Sequence, residues 1–157
     1  MTEKTSESRA LYLQGISCWN KRRYDNALVC FQRAYELAPG NPFVMSYLGL
    51  ARVKMKAVEE GLELCRQAVR KKPFNEDLLY NLGQAYRMAG NRNEARKTFL
   101  LGAKGCDDTQ RFLNALKEMG VRRKPVIPFL SRDNVLNRWL GKITYKPRSF
   151  HIEDIEN

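Results

Sequence analysis

The sequence predicts an all-α protein: an α-solenoid of three helical hairpins and a capping helix, followed by a basic C-terminal extension with one short amphipathic helix. The first observation behind this is a 34-residue register of small residues. Gly15, Gly49 and Gly83 share it, as do Ala27, Gly61 and Ala95, and Ala34, Ala68 and Gly102. The second is a pair of breakers in the same register, Pro39 and Pro73. The third is the set of large side chains at fixed offsets beside the small ones: Phe31 and Phe99, Leu48 and Leu82, and Tyr86 one helical turn after Gly83. Fixed-period self-similarity of this length marks stacked supersecondary units.

Each position has a physical reason. Antiparallel helices approach closely only where small side chains face each other, so Gly15 is paired with Ala27, Gly49 with Gly61 and Gly83 with Ala95. Proline lacks the amide hydrogen and clashes with the preceding turn, so Pro39 and Pro73 separate one hairpin from the next. The first hairpin is expected from about Ser6 to Leu37, turning near Lys21-Arg22-Arg23. The second runs from about Asn41 to Lys71. The third runs from about Asn75 to Gly105, with Gly90-Asn91 at its turn. Asn41, Asn75 and Asn91 are placed as helix N-caps. A seventh helix over about Asp108–Met119 starts at Asp107/Asp108, where the helix dipole favours acids, and stops at Gly120. Phe112, Leu113 and Leu116 provide its docking stripe, as the last repeat of a solenoid needs a solvating cap.

The pattern resembles the tetratricopeptide repeat. The third copy reads Leu79, Leu82-Gly83, Tyr86, Ala95, Phe99, Gly102. The first reads Leu11, Gly15, Cys18, Ala27, Phe31, Ala34, Pro39. The second reads Met45, Leu48-Gly49, Arg52, Gly61, Cys65, Ala68, Pro73, and its Gly61 and Cys65 predict the loosest-packed hairpin. The resemblance covers roughly residues 8–107 and implies a right-handed superhelix. The domain expected is 6–120, with repeats at about 8–41, 42–75 and 76–107, a capping helix at 108–119, and the extension at 121–157.

The resemblance also implies a concave groove lined by the first helix of each hairpin. The groove positions are Arg9, Tyr12, Leu13, Ile16, Trp19 and Asn20; Phe43, Ser46, Tyr47, Leu50, Val53 and Lys54; and Asp77, Tyr80, Asn81, Gln84, Arg87 and Met88. Helical spacing places Tyr12, Ile16 and Trp19 on one stripe and Phe43, Tyr47 and Leu50 on another. Aromatic anchors with amide rungs at Asn81 and Gln84 suit a peptide or helix of a partner protein, and Arg9, Lys54 and Arg87 would steer acidic segments inward. Several of these side chains, Ile16 and Leu50 among them, equally suit the core. Chaperone-binding members of the family clamp a C-terminal carboxylate with Lys, Asn and Arg. The matching positions here are Tyr12, Ile16, Tyr47, Asp77 and Asn81, so that clamp is absent and heat-shock chaperone tails are not the expected ligand. Secretion chaperones with three such repeats, which hold unfolded segments, are an alternative in size and groove; the basic charge departs from it.

The charge is unevenly distributed. The formal net charge is +11 and the pI near 9.7. Residues 121–148 hold eight Lys and Arg against the one acid Asp133, whereas residues 149–157 hold three acids and no Lys or Arg. In the extension, Pro125 and Pro128 enforce extended backbone. Ser131 caps an expected helix of about Arg132–Leu140 that ends at Gly141. Its apolar face is Val135, Leu136, Trp139, Leu140 and Ile143. A short hairpin through Lys146-Pro147-Arg148-Ser149 would join Ile143–Tyr145 to Phe150–Ile152. Three roles compete for this extension: packing back on the solenoid through Val126, Ile127, Phe129 and Leu130; binding a partner or an anionic membrane through Trp139; and contacting nucleic-acid phosphates through Arg122, Arg123, Lys124 and Arg138. Nucleic acid is the weaker reading, because Asn134 and Asn137 are the only obvious base-reading amides of this stretch and no nucleic-acid motif is present.

Catalysis is not expected. There is no glycine-rich phosphate loop, nucleophile elbow, metal-ligand cluster or carboxylate dyad. The single histidine, His151, lies near the terminus. Cys18, Cys30, Cys65 and Cys106 form no CxxC pair and are expected to be buried thiols acting as small hydrophobes. The sequence implies no cofactor or metal. No stretch approaches the roughly 20 apolar residues of a membrane span, and the polar start MTEKTSESRA has no apolar signal region; a cytoplasmic location is expected. Oligomeric state is not legible.

Overall fold

In a computed structural model, residues 3–120, 134–136 and 139–140 are described. Among them are seven α-helices: α1 Glu3–Asn20, α2 Tyr24–Leu37, α3 Pro42–Lys54, α4 Val58–Lys71, α5 Glu76–Met88, α6 Arg92–Gly105 and α7 Thr109–Glu118. Successive pairs α1/α2, α3/α4 and α5/α6 form the hairpins, α3 packs on α5, and α7 packs on α6. The first helix begins three residues before its expected start, at Glu3, whose carbonyl accepts from Ser6 Oγ at 2.8 Å.

The three hairpin turns are the same turn. Arg23, Ala57 and Asn91 donate their amides five residues back, to Cys18, Arg52 and Tyr86, each at 2.9 Å. The residue before each donor is left-handed: Arg22 with φ 59°, Lys56 with φ 72° and Gly90 with φ 82°. This is the Schellman closure of a helix, which satisfies carbonyls otherwise orphaned at the C-terminus. Glycine adopts it freely; a residue with a Cβ pays about 1–2 kcal/mol. Gly90 therefore suits its turn, and Arg22 and Lys56 hold theirs under strain.

Asn41 and Asn75 cap as expected, accepting from the amides of Phe43 at 3.0 Å and Leu78 at 3.1 Å. Asp108 accepts from Arg111 N at 3.2 Å. Asn91 is the exception: it occupies the N-cap of α6 but makes no side-chain cap bond.

The core is built from rings lying over glycines. A Cβ on Gly15 would sit 2.5 Å from the Phe31 ring, and Gly83 and Gly102 lie as closely under Phe99 and Phe112. The nearest atoms above Gly15 and Gly83 are thus the rings, not Ala27 and Ala95. The second hairpin departs from the expectation of loose packing. There Gly49 faces Gly61, and a Cβ on either would lie 2.5 Å from the other's carbonyl oxygen. With a small residue on both helices and Cys65 in place of a ring, α3 and α4 close until backbone meets backbone. Cys65 is fully buried. Of the other thiols, Cys30 is buried, while Cys18 and Cys106 are only half-buried, so four buried cysteines is corrected to two.

Phe112 enters the core because Gly102 has no side chain, and its ring meets Tyr80 at 5.9 Å and Phe99 at 6.4 Å. This is what docks α7. In the extension, Val135, Leu136, Trp139 and Leu140 are helical, and Asn134 Oδ1 accepts from Leu136 N at 2.9 Å. Val135, Leu136 and Trp139 are exposed. The expectations for Arg122, Arg123, Lys124, Ser131, Arg138, the Pro125–Pro128 stretch and the terminal hairpin lie outside the described residues.

Candidate functional site

The first helices α1, α3 and α5 bring most of the predicted groove side chains together in two clefts. The first, of about 680 Å³, collects Arg9, Tyr12, Leu13 and Phe43 between α1 and the start of α3. The second, of about 300 Å³, collects Trp19, Asn20, Tyr47, Leu50, Tyr80, Asn81, Gln84 and Met88. Tyr12 belongs to one and Tyr47 to the other, and their rings meet edge to face at 5.6 Å. That arrangement is a favoured one for aromatic pairs, and it links the two clefts. Phe31 lies beneath both rings, 6.2 Å from Tyr12 and 5.4 Å from Tyr47.

The predicted residues divide by burial. Leu50 and Asn81 are 4% exposed. Asn81 Nδ2 donates to Ser46 Oγ at 3.1 Å, so this amide ties α5 to α3 at the groove floor instead of projecting as a rung. Ser46 and Val53 are likewise buried. Ile16 is half-buried and packs beside Phe31 and Leu48. Gln84 is half-buried in the second cleft. Trp19 packs against the Leu50–Val53 cluster and meets Tyr24 edge to face at 5.0 Å.

The cations predicted to steer a ligand are partly engaged. Arg9 is exposed beside Tyr12. Lys54 lies over the Tyr24 ring, 4.7 Å from its centre. Arg87 is ion-paired with Glu118 of α7 at 2.8 Å.

One groove residue was missed. Arg111, on the capping helix, lines the second cleft. Its Nη1 bonds Asp77 Oδ1 at 2.8 Å, and its guanidinium lies 3.8 Å over the Tyr80 ring. The signal was present: Arg9, Phe43, Asp77 and Arg111 are spaced by 34 residues. Extending the register into α7 treats that helix as the first half of a fourth repeat and places Arg111 on the groove.

The electrostatics follow from this cluster. Burial raises the Tyr12 phenol well above the ordinary tyrosine range, with Tyr47 and Asp77 adding to it. Burial also raises Tyr47; Asp77 adds to the shift and Arg111 and Asn81 oppose it. Both phenols therefore stay protonated and able to donate near neutral pH. Burial works against the Arg111 charge, but Asp77 and Tyr80 outweigh it and keep the guanidinium charged. Among the described residues no group of three or more His, Cys, Asp or Glu is placed to hold a metal. Among the same residues no helix is long and apolar enough to cross a membrane.

Stacked hairpins with an aromatic groove on their first helices define a helical-repeat scaffold of the protein-interaction class. The sequence profile of the tetratricopeptide repeat matches residues 8–41, and a second profile of the same description matches residues 47–110. The chain belongs to the tetratricopeptide repeat family. It is similar to the STIP1 homolog of Dictyostelium discoideum, with 25% identity over 119 residues, which is 75% of this chain and 21% of that protein. The chain thus spans about a fifth of that relative's length. Two solved folds are similar. The first TPR domain of human RPAP3 superposes with a TM-score of 0.63 at 16% identity, covering 90% of this chain and 99% of that one. The first TPR of Spaghetti (RPAP3), bound to the HSP90 peptide SRMEEVD, gives 0.62 at 18% identity, covering 74% and 92%.

Proposed function

We propose that this chain is a non-catalytic interaction module whose concave groove receives a peptide or helix of a partner protein. The observation carrying this is the linked aromatic lining: Tyr12 against Tyr47, with Trp19 and Tyr80 beyond, ending at the Arg111–Asp77 pair. Rigid aromatic side chains offer large contact area for little entropy, and protonated phenols add directed donors. A cytoplasmic location fits a soluble adaptor of this kind, and residues 121–157 are read as a separate basic extension.

The ligand differs in chemistry from an acidic chaperone tail held by a cationic clamp. At the clamp positions stand two tyrosines, an isoleucine, a buried amide and an acid: Tyr12, Tyr47, Ile16, Asn81 and Asp77. The nearby Arg111 is already neutralised by Asp77. The groove therefore favours an aromatic or aliphatic segment.

The test is affinity capture from the native host with wild-type and Tyr47→Ala protein, read by quantitative mass spectrometry, with circular dichroism to verify folding. A partner retained by wild-type and lost from the folded variant is expected. An identical set captured by both would remove the groove as the binding site.

A further inference from the structure

Outside the groove, the edge of the solenoid made by the first two hairpin turns carries an unusual group of cations. Lys21, Arg22 and Arg23 form the first turn, and Lys54 and Lys56 flank the second. All five are exposed. Among the described residues, Lys21, Arg22, Arg23 and Lys56 enter no ion pair, while Lys54 is fixed over Tyr24 at 4.7 Å. The adjoining acids are Asp25 and Glu59; Glu60 is occupied by Arg52 at 2.9 Å.

The backbone makes this more than a surface fluctuation. Arg22 and Lys56 occupy the left-handed position of identical turns, with φ 59° and 72°, where the third turn has Gly90. The fold at this position favours glycine, and a long cationic side chain is present in two of three copies against the backbone preference. Strain retained at an exposed site points to a function of the side chain rather than to folding. Neither side chain contributes to the core.

We propose that this edge is a second binding surface, for an Asp/Glu-rich segment of a partner protein. Packed helices lie about 8–10 Å apart, so the cations of neighbouring turns form two rows at that spacing. An extended peptide advances about 3.3 Å per residue, so acids three residues apart meet successive rows. A nucleic acid fits less well. A duplex carries a charge about every 1.7 Å, far closer than the spacing of the two rows. Trp19 meets Tyr24 edge to face and Lys54 covers the Tyr24 ring, so Tyr24 offers little surface for a base to stack on. The surface works whether or not the groove is occupied.

The experiment uses the full chain and two fluorescent probes, deca-glutamate and a ten-residue thymidine strand, followed by anisotropy. Arg22→Gly/Lys56→Gly is compared with Lys104→Gln/Lys117→Gln, which removes the same charge elsewhere and accounts for the basic extension. Deca-glutamate affinity is expected to fall about 5- to 10-fold in the turn variant and less than 2-fold in the control. The turn variant should melt no lower than wild-type, because glycine suits both positions. Equal losses in the two variants, absence of deca-glutamate binding, or a larger loss for the thymidine strand would overturn the proposal. A turn variant that melts below wild-type would remove the strain on which it stands.

Discussion

Gly49→Ala tests the closest packing in the molecule. A Cβ at this position would lie 2.5 Å from Gly61 O, 2.7 Å from Cys65 Sγ and 3.0 Å from Cys65 N. Carbon–oxygen contacts ordinarily begin near 3.3 Å, so α3 and α4 must part by about 0.8 Å. Two of the three obstructing atoms are backbone, which no rotamer change relieves. A gap of 0.5–1 Å forfeits about a quarter to a half of the dispersion well for the facing atoms, here the buried Leu48, Ala51, Leu62 and Cys65. Overpacking a core typically costs about 1–3 kcal/mol, and the upper end applies to a backbone obstacle. Alanine's better helix propensity returns about 1 kcal/mol. The net loss is about 2 kcal/mol, a fall in Tm of roughly 6–12 °C for a domain of this size. Thermal and urea unfolding followed by far-UV circular dichroism measure it, with Gly40→Ala, which meets nothing within 4 Å, as control. A Gly49→Ala protein as stable as wild-type would refute the close backbone packing of this hairpin.

Three further outcomes follow from the same structure. Cys65→Phe restores the ring found at Phe31 and Phe99, yet it should destabilise by about 2 kcal/mol or more in urea unfolding, since α3 and α4 leave no room for it; a gain would mean the hairpin is loose after all. Ser8→Ala removes the buried bond from Ser8 Oγ to Ala34 O at 2.9 Å and should cost about 1 kcal/mol by the same measurement. Glu63 is held below the ordinary carboxylate range by hydrogen bonds from Arg70, Gln67 and Arg66. A depressed carboxyl stabilises the fold above its unfolded value and loses that contribution as pH falls through the folded value. The stability gap between wild-type and Glu63→Gln should therefore close as pH is lowered from 6 toward 3; a constant gap would show that these bonds do not act through charge.

Much of the fold was legible because it is periodic. The 34-residue register located the hairpins, their turns and the proline boundaries to within about three residues, as each position answers to a local demand: a small residue at a crossing, a cap, a breaker. Asn91 shows the limit of local rules, since it stands at the N-cap of α6 without making the cap bond that Asn41 and Asn75 make. The groove was legible as a set of helices and less so as a set of accessible atoms. Asn81 and Gln84 look alike in sequence, but Ser46 lies within reach of Asn81 alone and draws it into the floor. Arg87 reads as a free cation until Glu118 of α7 is seen beside it.

By itself the sequence determined that this protein is a three-hairpin repeat with a cap, because spacing along a helix sets which residues share a face. The tertiary structure decided how near the helices come and which charges meet. Gly49 and Gly61 read as a weak copy of the repeat, yet two small residues on opposite helices let the backbones touch. Arg111 read as part of a cap, yet the superhelix brings it over Tyr80 and onto Asp77. Both outcomes depend on distances between helices, which no residue encodes alone.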